Sequence, residues 1–567
     1  MTPRPGGRYR DRMTSATHRP AVVLCGPPGA GKTTVGNLIA RALDVEFIDT
    51  DHEVERIAGM PIPQMFLEQG EPAFRELEHE TVVRLLDEFD GILALGGGAV
   101  LDRRTQEALR EHMVVFLDVD VTQALPRVGL SGIRPLLMGD PVGKFQNLMK
   151  ERRHIYESVA TLTADTTDRR PQSVGEEILL ELLARGAAHI DPNSVHRAAS
   201  VYAPPTSIRV SGEDGYDVLV GWDLVDSVIE MVGEDSGRVL VLHPPVVGEY
   251  AESVRAGLEA AGKTATTHVL PEGEASKTFA VATQMWDLLG SLRLGRDDTI
   301  VAVGGGATTD LAGFVAACWL RGVRLVNVPS TLLAMVDASV GGKTGINISD
   351  GKNLVGAFYP PAGVVCDLRL LETLPEEEYR AGLAEVVKCG FIADEQILRL
   401  IEADGGAGAL DRGSAVMREL IERAVAVKAR VVSEDLKEIG LREILNYGHT
   451  FGHAIEAVEN FTVRHGEAIA VGMVFAAELS ARAGDLDPAA VSRTRRVLAA
   501  VGLGSTYPAE RWPELLEAMG HDKKRRRDVL RFVVLDAVAA PTILRDPDPA
   551  DLEACYAAVS TVVGPAA

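Results

Sequence analysis

The sequence is poor in cysteine and in positive charge. Its 567 residues include only 5 cysteines, none in a Cys-x-x-Cys pair, which excludes a disulfide scaffold and favours a reducing, cytoplasmic compartment. The net charge of −23 argues against binding to nucleic acid or to an anionic membrane. No apolar run reaches the roughly 18 residues that a membrane helix needs. A chain of this length is expected to form two to four domains.

A glycine-rich loop follows the first apolar segment, residues 21–25. The loop reads GPPGAGKTT over residues 26–34 and precedes a helical run, which is the setting that a phosphate-binding loop requires. Backbone N–H groups of such a loop cradle phosphate oxygens, while Lys32 reaches the β- and γ-phosphates and Thr33 offers a hydroxyl to Mg²⁺. The pattern predicts nucleotide binding without fixing the reaction. The predicted ATP contacts in the loop are Gly29, Gly31, Lys32, Thr33 and Thr34.

Further along the same segment lie groups suited to a second substrate. The stretch VEFIDTD (45–51) is predicted as a strand ending in Asp49 and Asp51, whose side chains would then point the same way. The alternative is a pair of solvated turn aspartates. A run of three glycines (96–98) follows another predicted strand and lets a ligand approach the backbone closely.

Residues 20–187 resemble shikimate kinase. The resemblance implies that Asp49 is the carboxylate associated with magnesium and that Asp51 meets the acceptor hydroxyl. It implies that Arg134 closes a lid over the transferring phosphoryl group and that Arg127 stacks on adenine. The implied shikimate contacts are Asp51, Arg75, Gly97, Gly98 and Arg152. The family usually has Pro-Leu-Tyr after the last arginine, where this chain has His154-Ile155-Tyr156.

Three of the 13 histidines lie in NYGHTFGHAIEAVENFTVRHGEA, residues 446–468. His449 and His453 are four residues apart and would share one face of a helix, and His465 follows after a break. Imidazoles in this arrangement can close round a divalent ion, with a carboxylate from elsewhere completing the set. The alternative is an ordinary amphipathic helix whose histidines are packed or exposed.

Residues 205–560 resemble 3-dehydroquinate synthase through motifs in the family's order. They include VAVGGGATTDLAGFVAACWLRG (301–322), PSTLLAMVDASVGGKTGIN (329–347), AGLAEVVKCG (381–390) and LREILNYGHTFGHAIE (441–456). The resemblance implies conversion of 3-deoxy-D-arabino-heptulosonate 7-phosphate to 3-dehydroquinate and phosphate, with NAD and with Zn²⁺ or Co²⁺. The implied metal ligands are Glu385, His449 and His465.

The resemblance also implies the remaining contacts of the synthase. For NAD they are Glu274, Lys277, Gly304, Gly305, Gly306, Asp310, Ser330, Thr331, Lys343, Lys352 and Thr373. For the heptulosonate phosphate they are Arg321, Asp337, Lys343, Asn353, Lys388, Lys428, Arg442, Asn446, His453 and Lys523. The catalytic residues implied across both sites are Asp51, Arg134, Lys343, Lys388, Lys428, Arg442, Asn446 and His453.

One departure from the synthase pattern concerns a single contact. The family usually has Thr-Asp after the strand RVLVLH (238–243), where this chain has His243-Pro244, so the resemblance assigns no residue to the adenosine ribose of NAD. The basic run HDKKRRR (521–527) resembles a nucleic-acid patch, but Lys523 gives it a use at the substrate. Arg321 is expected to reach the phosphate across the interface of a homodimer formed by the synthase domain.

The expected fold class is α/β throughout. A P-loop kinase domain, with helices on both faces of a parallel sheet, is followed by a synthase domain with a Rossmann-like half and a helical half. The expected boundaries are a disordered tail at 1–19, the kinase at 20–187, a linker at 188–206, and the synthase halves at 207–370 and 371–567.

The function that these expectations describe is that of a bifunctional enzyme of the shikimate pathway. The alternative is a polyol dehydrogenase of the same fold fused to a nucleotide-sensing module. The many lysines and the HGEA motif (465–468) argue against a dehydrogenase. The intact Lys32, Asp49, Asp51 and Arg134 argue against a sensor.

Overall fold

The chain forms two compact units, Met1–Ala203 and Pro204–Ala567, whose boundary lies inside the predicted linker. The computed structural model describes residues 20–43, 45–120, 124, 141–167, 169, 171–185, 204–212, 215–349, 351–525 and 529–561. Over this part of the chain, no helix has the length and apolar character needed to cross a membrane.

The first unit is built on a five-stranded parallel sheet. Its strands are β1 (Val22–Cys25), β2 (Phe47–Asp49), β3 (Ile92–Ala94), β4 (Val114–Asp118) and β5 (Leu162–Asp165), in the order β2-β3-β1-β4-β5. Its helices are α1 (Lys32–Leu43), α2 (Thr50–Ala58), α3 (Ile62–Glu68), α4 (Glu71–Glu88), α5 (Arg103–Ala108), α6 (Pro141–Val159) and α7 (Pro171–Ala184). Alternate residues of β1 pack into two separate hydrophobic clusters. Val22 and Leu24 belong to one cluster, and Val23 and Cys25 belong to the other, so both faces of the sheet are covered.

One sequence prediction for this unit is wrong. The strand β2 ends at Asp49, and Asp51 lies in the first turn of α2 rather than on the strand. The reason is local, because the Asp49 carboxylate accepts a hydrogen bond from the backbone N–H of Asp51 and so caps the helix.

The second unit begins with a seven-stranded sheet. Its strands are β6 (Thr206–Val210), β7 (Tyr216–Gly221), β8 (Arg238–His243), β9 (Thr264–Val269), β10 (Thr299–Gly304), β11 (Arg324–Pro329) and β14 (Gly363–Asp367), in the order β6-β7-β14-β11-β10-β8-β9. All neighbouring pairs are parallel except β6 and β7. The helices of this half are α8 (Val225–Val232), α9 (Gly248–Ala260), α10 (Phe279–Ser291) and α11 (Gly306–Cys318). An antiparallel hairpin, β12 (Lys343–Ile348) and β13 (Gly351–Phe358), extends from this half.

The remainder of the second unit is mainly helical, as the sequence predicts. Its helices are α12 (Glu376–Ile392), α13 (Glu395–Ala403), α14 (Ala407–Leu410), α15 (Ala415–Glu434), α16 (His449–Val458), α17 (His465–Ala483), α18 (Pro488–Ala500), α19 (Trp512–Arg525) and α20 (Pro549–Val559). Short strands complete it: β15 (Tyr507–Pro508) with β18 (Ser560–Thr561), and β16 (Arg531–Ala537) with β17 (Ala540–Arg545).

Glycines set the spacing of α12, α16 and α17. A Cβ atom on Gly472 of α17 would lie 2.0 Å from the carbonyl oxygen of Gly448, the residue that precedes α16. A Cβ atom on Gly466 would lie 1.8 Å from the carbonyl oxygen of Ala381 on α12. The three helices can therefore approach closely only because these positions lack side chains.

Candidate active sites

The loop between β1 and α1 of the first unit carries groups suited to binding an anion. Gly31 has a positive φ of 86°, which turns the chain into the helix. The Lys32 ammonium donates hydrogen bonds to the carbonyls of Gly26 at 2.9 Å and Pro27 at 3.1 Å. The helix N-terminus and the ammonium together suit a polyphosphate.

Oxygen donors suited to Mg²⁺ stand beside this loop. The Thr33 hydroxyl donates a hydrogen bond to Oδ2 of Asp49 at 2.8 Å, although the two residues come from α1 and β2. A hydroxyl and a carboxylate are the ligand types that Mg²⁺ prefers next to substrate phosphates, so this pair fits the ion.

The glycine turn after β3 gathers the predicted acceptor residues. A Cβ atom on Gly96 would lie 2.2 Å from Oδ1 of Asp51, and one on Gly98 would lie 2.4 Å from Nη1 of Arg75. Arg152 of α6 donates to the carbonyl of Gly97 at 3.4 Å. Two guanidinium groups and a carboxylate thus converge on the turn, which suits a small hydroxylated acid.

Two residues of this pocket were missed by the sequence analysis. Glu78 is buried and accepts a 2.6 Å hydrogen bond from Nη1 of Arg75, and burial raises the pKa of its carboxyl group. The buried Tyr156 hydroxyl donates a 2.6 Å hydrogen bond to the carbonyl of Gly97. Spacing could have indicated both, since they follow Arg75 and Arg152 by three and four residues on helices. The predicted Arg127 and Arg134 lie outside the described residues.

In the second unit, the glycine triplet joins β10 to α11 and faces a buried ion pair. Lys277 donates to Oδ2 of Asp310 at 2.6 Å and also to the side-chain oxygen of Asn353. Burial raises the pKa of Asp310 to about 6, against the opposing effect of Lys277. The backbone N–H of Ser330, after β11, donates to the carbonyl of Gly304 at 2.9 Å. The ends of two neighbouring parallel strands therefore meet here, where such sheets bind dinucleotides.

Three further predicted cofactor contacts are Glu274, Thr331 and Thr373. Glu274 accepts a hydrogen bond from the Asn347 amide at 2.5 Å. A Cβ atom on Gly305 would lie 3.1 Å from Cγ2 of Thr331. Thr373 lies in the turn before α12 and donates to the Leu370 carbonyl at 3.3 Å.

Three side chains that could hold a metal ion, Glu385, His449 and His465, lie where α12, α16 and α17 meet. His449 Nε2 and His465 Nε2 each lie 3.5 Å from Oε1 of Glu385. This oxygen is buried and has no hydrogen-bond partner, while the other carboxylate oxygen is paired with Lys388. Ligand atoms of the three residues lie within 4.8 Å of one another. One carboxylate and two imidazoles with a common focus fit a divalent ion of the zinc type.

The outer nitrogens of both imidazoles are also held. Nδ1 of His449 lies 3.2 Å from the carbonyl oxygen of Tyr447, and Nδ1 of His465 lies 3.3 Å from Oε1 of Glu456. Acceptors at Nδ1 favour the tautomer in which Nε2 keeps its lone pair. Burial, with a further contribution from Lys388, holds the pKa of His449 well below its usual value and keeps the ring neutral.

Paired cations and carboxylates lie near these three side chains. Lys428 of α15 pairs with Asp337, and Lys343 of β12 pairs with Glu438. Asn446 donates to the same Glu438 at 3.0 Å. The buried Arg442 donates to the carbonyls of Leu436 at 2.6 Å and Gly341 at 3.1 Å. Glu438 was missed by the sequence analysis, since no spacing in its turn distinguishes it from a solvated acid.

Three other predicted substrate contacts are His453, Arg321 and Lys523. The His453 side chain is 59% exposed, with Nε2 3.9 Å from Oε2 of Glu456. Arg321 has a positive φ of 69° at the end of a short turn after α11. Lys523 lies on α19, but its side chain is not among those described.

Models of known protein families match both units of the chain. Residues 28–183 match the family model of shikimate kinase. Residues 267–381 and 382–525 match the N-terminal and C-terminal models of 3-dehydroquinate synthase.

Curated relatives match the second unit along nearly their whole length. A 3-dehydroquinate synthase of Pseudarthrobacter chlorophenolicus is 56% identical over 359 residues, which is 63% of this chain and 99% of the relative. One from Thermobifida fusca is 58% identical over 358 residues, covering 63% of this chain and 97% of the relative.

Two solved structures show the same fold in the second unit. A 2-epi-5-epi-valiolone synthase of Streptomyces hygroscopicus with NAD⁺ and Zn²⁺ bound is 25% identical, with a TM-score of 0.57, over 61% of this chain and 96% of that one. A 2-deoxy-scyllo-inosose synthase complexed with carbaglucose-6-phosphate, NAD⁺ and Co²⁺ is 28% identical, with a TM-score of 0.56, over 62% of this chain and 99% of that one.

Proposed function

Because the chain belongs to the 3-dehydroquinate synthase family and carries a shikimate kinase domain before it, we propose that its two sites perform the reactions of these two families. The kinase phosphorylates shikimate at the expense of ATP to give shikimate 3-phosphate. The synthase converts 3-deoxy-D-arabino-heptulosonate 7-phosphate to 3-dehydroquinate and phosphate. The chain is thus a phosphotransferase and a carbon–oxygen lyase of the shikimate pathway.

The observation that carries the synthase assignment is the unpartnered oxygen of Glu385. A buried acceptor without a donor is costly unless a cation completes it, and both imidazole Nε2 atoms face the same oxygen. Glu385, His449 and His465 would therefore hold the divalent ion. When bound, this ion polarises the carbinol and carbonyl oxygens of the substrate, and NAD supplies a reversible hydride acceptor.

The remaining groups of the cleft bind and orient the anionic substrate. Lys388, Lys428 and Arg442 are buried cations, and each is held by a carboxylate or by backbone carbonyls. An anionic substrate can replace part of these contacts, so its carboxylate and phosphate would be neutralised inside a site that excludes water. The exposed His453 and Lys343 would complete the phosphate pocket at its rim. Asp310 would accept a hydrogen bond from a hydroxyl of NAD, beside the glycine triplet.

In the kinase, the two arginines at the glycine turn would clamp the shikimate carboxylate. Asp51 would orient the attacking hydroxyl and accept its proton. Lys32 would exchange the carbonyls of Gly26 and Pro27 for phosphate oxygens, and Thr33 with Asp49 would hold Mg²⁺. Arg127 and Arg134 are proposed for adenine stacking and for the lid on the strength of the family resemblance.

The hairpin β12–β13 supports a dimer of the synthase unit. Leu354, Val355 and Phe358 of β13 are 46%, 38% and 45% exposed, and Ile348 of β12 is 40% exposed. Apolar side chains concentrated on one small hairpin favour burial against a partner, and a second copy is the expected one. Leu354→Arg should give a monomer in sedimentation experiments. The five cysteines, all free thiols, support placement in the reducing cytoplasm.

The decisive experiment assays the full chain on both substrate pairs. With heptulosonate phosphate, NAD and zinc, the expected result is stoichiometric phosphate release without net NADH. Accumulation of NADH would instead favour the polyol dehydrogenase. Consumption of ATP should require shikimate, and an ATPase rate that ignores shikimate would contradict the kinase assignment.

A further inference from the structure

The imidazole of His465 lies between two carboxylates. Its Nε2 lies 3.5 Å from Oε1 of Glu385, and its Nδ1 lies 3.3 Å from Oε1 of Glu456. The first carboxylate belongs to the proposed ligand set, whereas the second lies on the far side of the ring. Glu456 is therefore placed to act, through His465, on a metal bound by that ligand set.

The other proposed imidazole ligand is held by a different kind of acceptor. Nδ1 of His449 lies 3.2 Å from the backbone carbonyl of Tyr447, which is neutral and cannot be removed by substitution. Of the two proposed imidazole ligands, His465 is the one whose outer nitrogen lies beside an anionic side chain. The two proposed ligands thus differ in the hydrogen-bond partner of Nδ1, and this partner influences how strongly Nε2 donates to a metal.

The placement of Glu456 follows from the helix that carries it. Glu456 lies seven residues after His449 on α16, so the two side chains lie on the same face of the helix, two turns apart. Its side chain is 12% exposed, and its second oxygen, Oε2, lies 3.9 Å from Nε2 of the exposed His453. One rigid helix therefore supplies a metal ligand and the acceptor for the ligand on the next helix, α17.

We propose that Glu456 is a positioning residue, which holds the proton of His465 on Nδ1 and aims the Nε2 lone pair at the metal. The inference rests on the proposed function, because it presupposes an ion bound by Glu385, His449 and His465. The negative charge of Glu456 also makes His465 a stronger donor, since it stabilises positive charge on the ring. In this role Glu456 is not itself a ligand of the metal.

The test compares two substitutions of Glu456 with a matched control. Glu456→Gln keeps the size and an acceptor oxygen but loses the charge, and Glu456→Leu removes both. Glu467→Gln is the control, since Glu467 lies two residues after His465 on the same helix, is 44% exposed, and faces Arg464 at 3.4 Å. The affinity for Zn²⁺ is measured by competition with a chromogenic chelator. The absorption spectrum of the Co²⁺-loaded protein is recorded in parallel.

The expected loss of Zn²⁺ affinity is about tenfold for Glu456→Gln and about hundredfold for Glu456→Leu, which is the range seen for partners of metal-bound histidines. The cobalt spectrum should change in both variants and stay unchanged in Glu467→Gln. Kinase activity and NAD binding report on folding. If Glu456→Leu fails to fold, Glu456→Gln decides the matter.

Parental Zn²⁺ affinity together with a parental cobalt spectrum in Glu456→Gln would overturn the inference. An equal loss of Zn²⁺ affinity in Glu467→Gln would also overturn it. The loss would then be caused by removing a negative charge near α17 and not by removing the contact with His465. A parental chain that binds no Zn²⁺ would instead contradict the proposed metal site itself. The two failures are therefore distinguishable.

Discussion

The hydroxyl of Tyr156 donates a 2.6 Å hydrogen bond to the carbonyl oxygen of Gly97, which ties α6 to the glycine turn of the kinase. The ring also stacks on Phe116 of β4, with 5.2 Å between centroids, so the hydroxyl has little freedom to move. This bond fixes the backbone against which Arg75 and Arg152 lie.

Tyr156→Phe should therefore loosen the acceptor pocket without touching the nucleotide. The loss of one hydrogen bond, about 0.5–1.5 kcal/mol, predicts a rise in the KM for shikimate of roughly twofold to tenfold. Steady-state kinetics with each substrate varied in turn measures this. The KM for ATP should stay at its parental value, and Tyr359→Phe in the other unit is a matched control. An equal rise in both KM values would place the effect in the fold of the unit instead.

Arg152→Ala should weaken shikimate binding far more. A charge-assisted pair is worth about 1.5–3 kcal/mol, so we expect the KM for shikimate to rise by roughly one to two decades. Arg152→Lys should restore little, because an ammonium cannot reproduce the two-pronged contact of a guanidinium. Asp51→Asn should instead lower kcat. Isothermal titration with shikimate and with ATP separates these effects, and parallel losses for both ligands would contradict the acceptor assignment.

His449→Ala should remove the metal and the synthase activity together. The substitution leaves the buried Glu385 and His465 without the third ligand on which zinc affinity depends. Metal analysis of the purified protein should find less zinc than in the parent, while the kinase rate serves as an internal control for the intact chain. Parental zinc content in this variant would refute the ligand set.

NAD binding should weaken at acidic pH through Asp310. Its pKa is raised to about 6, mainly by burial, so the carboxylate that would accept a hydrogen bond from NAD is protonated progressively below that pH. One pH unit below the pKa leaves about a tenth of it ionised, and the Kd should be roughly tenfold higher at pH 5 than at pH 7.5. Fluorescence titration with NAD measures this, and Asp310→Asn should give a weak Kd that no longer varies with pH. A parental Kd that stays constant over this range would exclude the role.

Separating the chain near residue 200 should leave both activities measurable. The two units are divided between Ala203 and Pro204, and the second is anchored from its first residues. Arg418 donates to the Pro204 carbonyl at 2.7 Å, and Thr206 donates to Glu422 at 2.8 Å. A synthase fragment that begins at residue 200 should thus be active, whereas one that begins at residue 212 lacks β6 and should melt at a lower temperature. Inactivity of both halves after the first cut would refute independent folding.

The sequence predicted the elements better than the contacts between them. The strand at 238–243 occurs as predicted, because a short apolar run bounded by turns favours a buried strand. The strand predicted through Asp51 failed because a single side-chain hydrogen bond to Asp49 starts a helix there. Local competition of this kind depends on geometry that residue spacing does not encode.

Some residues of the candidate sites could be predicted from the sequence, and others could not. Motifs indicated Glu385, His449 and His465, which the fold brings together from three helices. Glu438 could not be found from the sequence, since it meets Lys343 and Asn446 only through the tertiary fold. Glu456 could have been found, because the spacing of seven residues from His449 places it on the same face of the helix.

Gly472 links the proposed metal site to a close contact between two backbone segments. Even a single methyl group at this position would meet the carbonyl oxygen of Gly448, one residue before the proposed ligand His449, and would drive α17 away from α16. His449 and His465 would then separate although neither had been changed. Substitutions of Gly472 would therefore abolish synthase activity as substitutions of the proposed metal ligands do. A mutational scan that measures activity alone would not distinguish this glycine from a ligand.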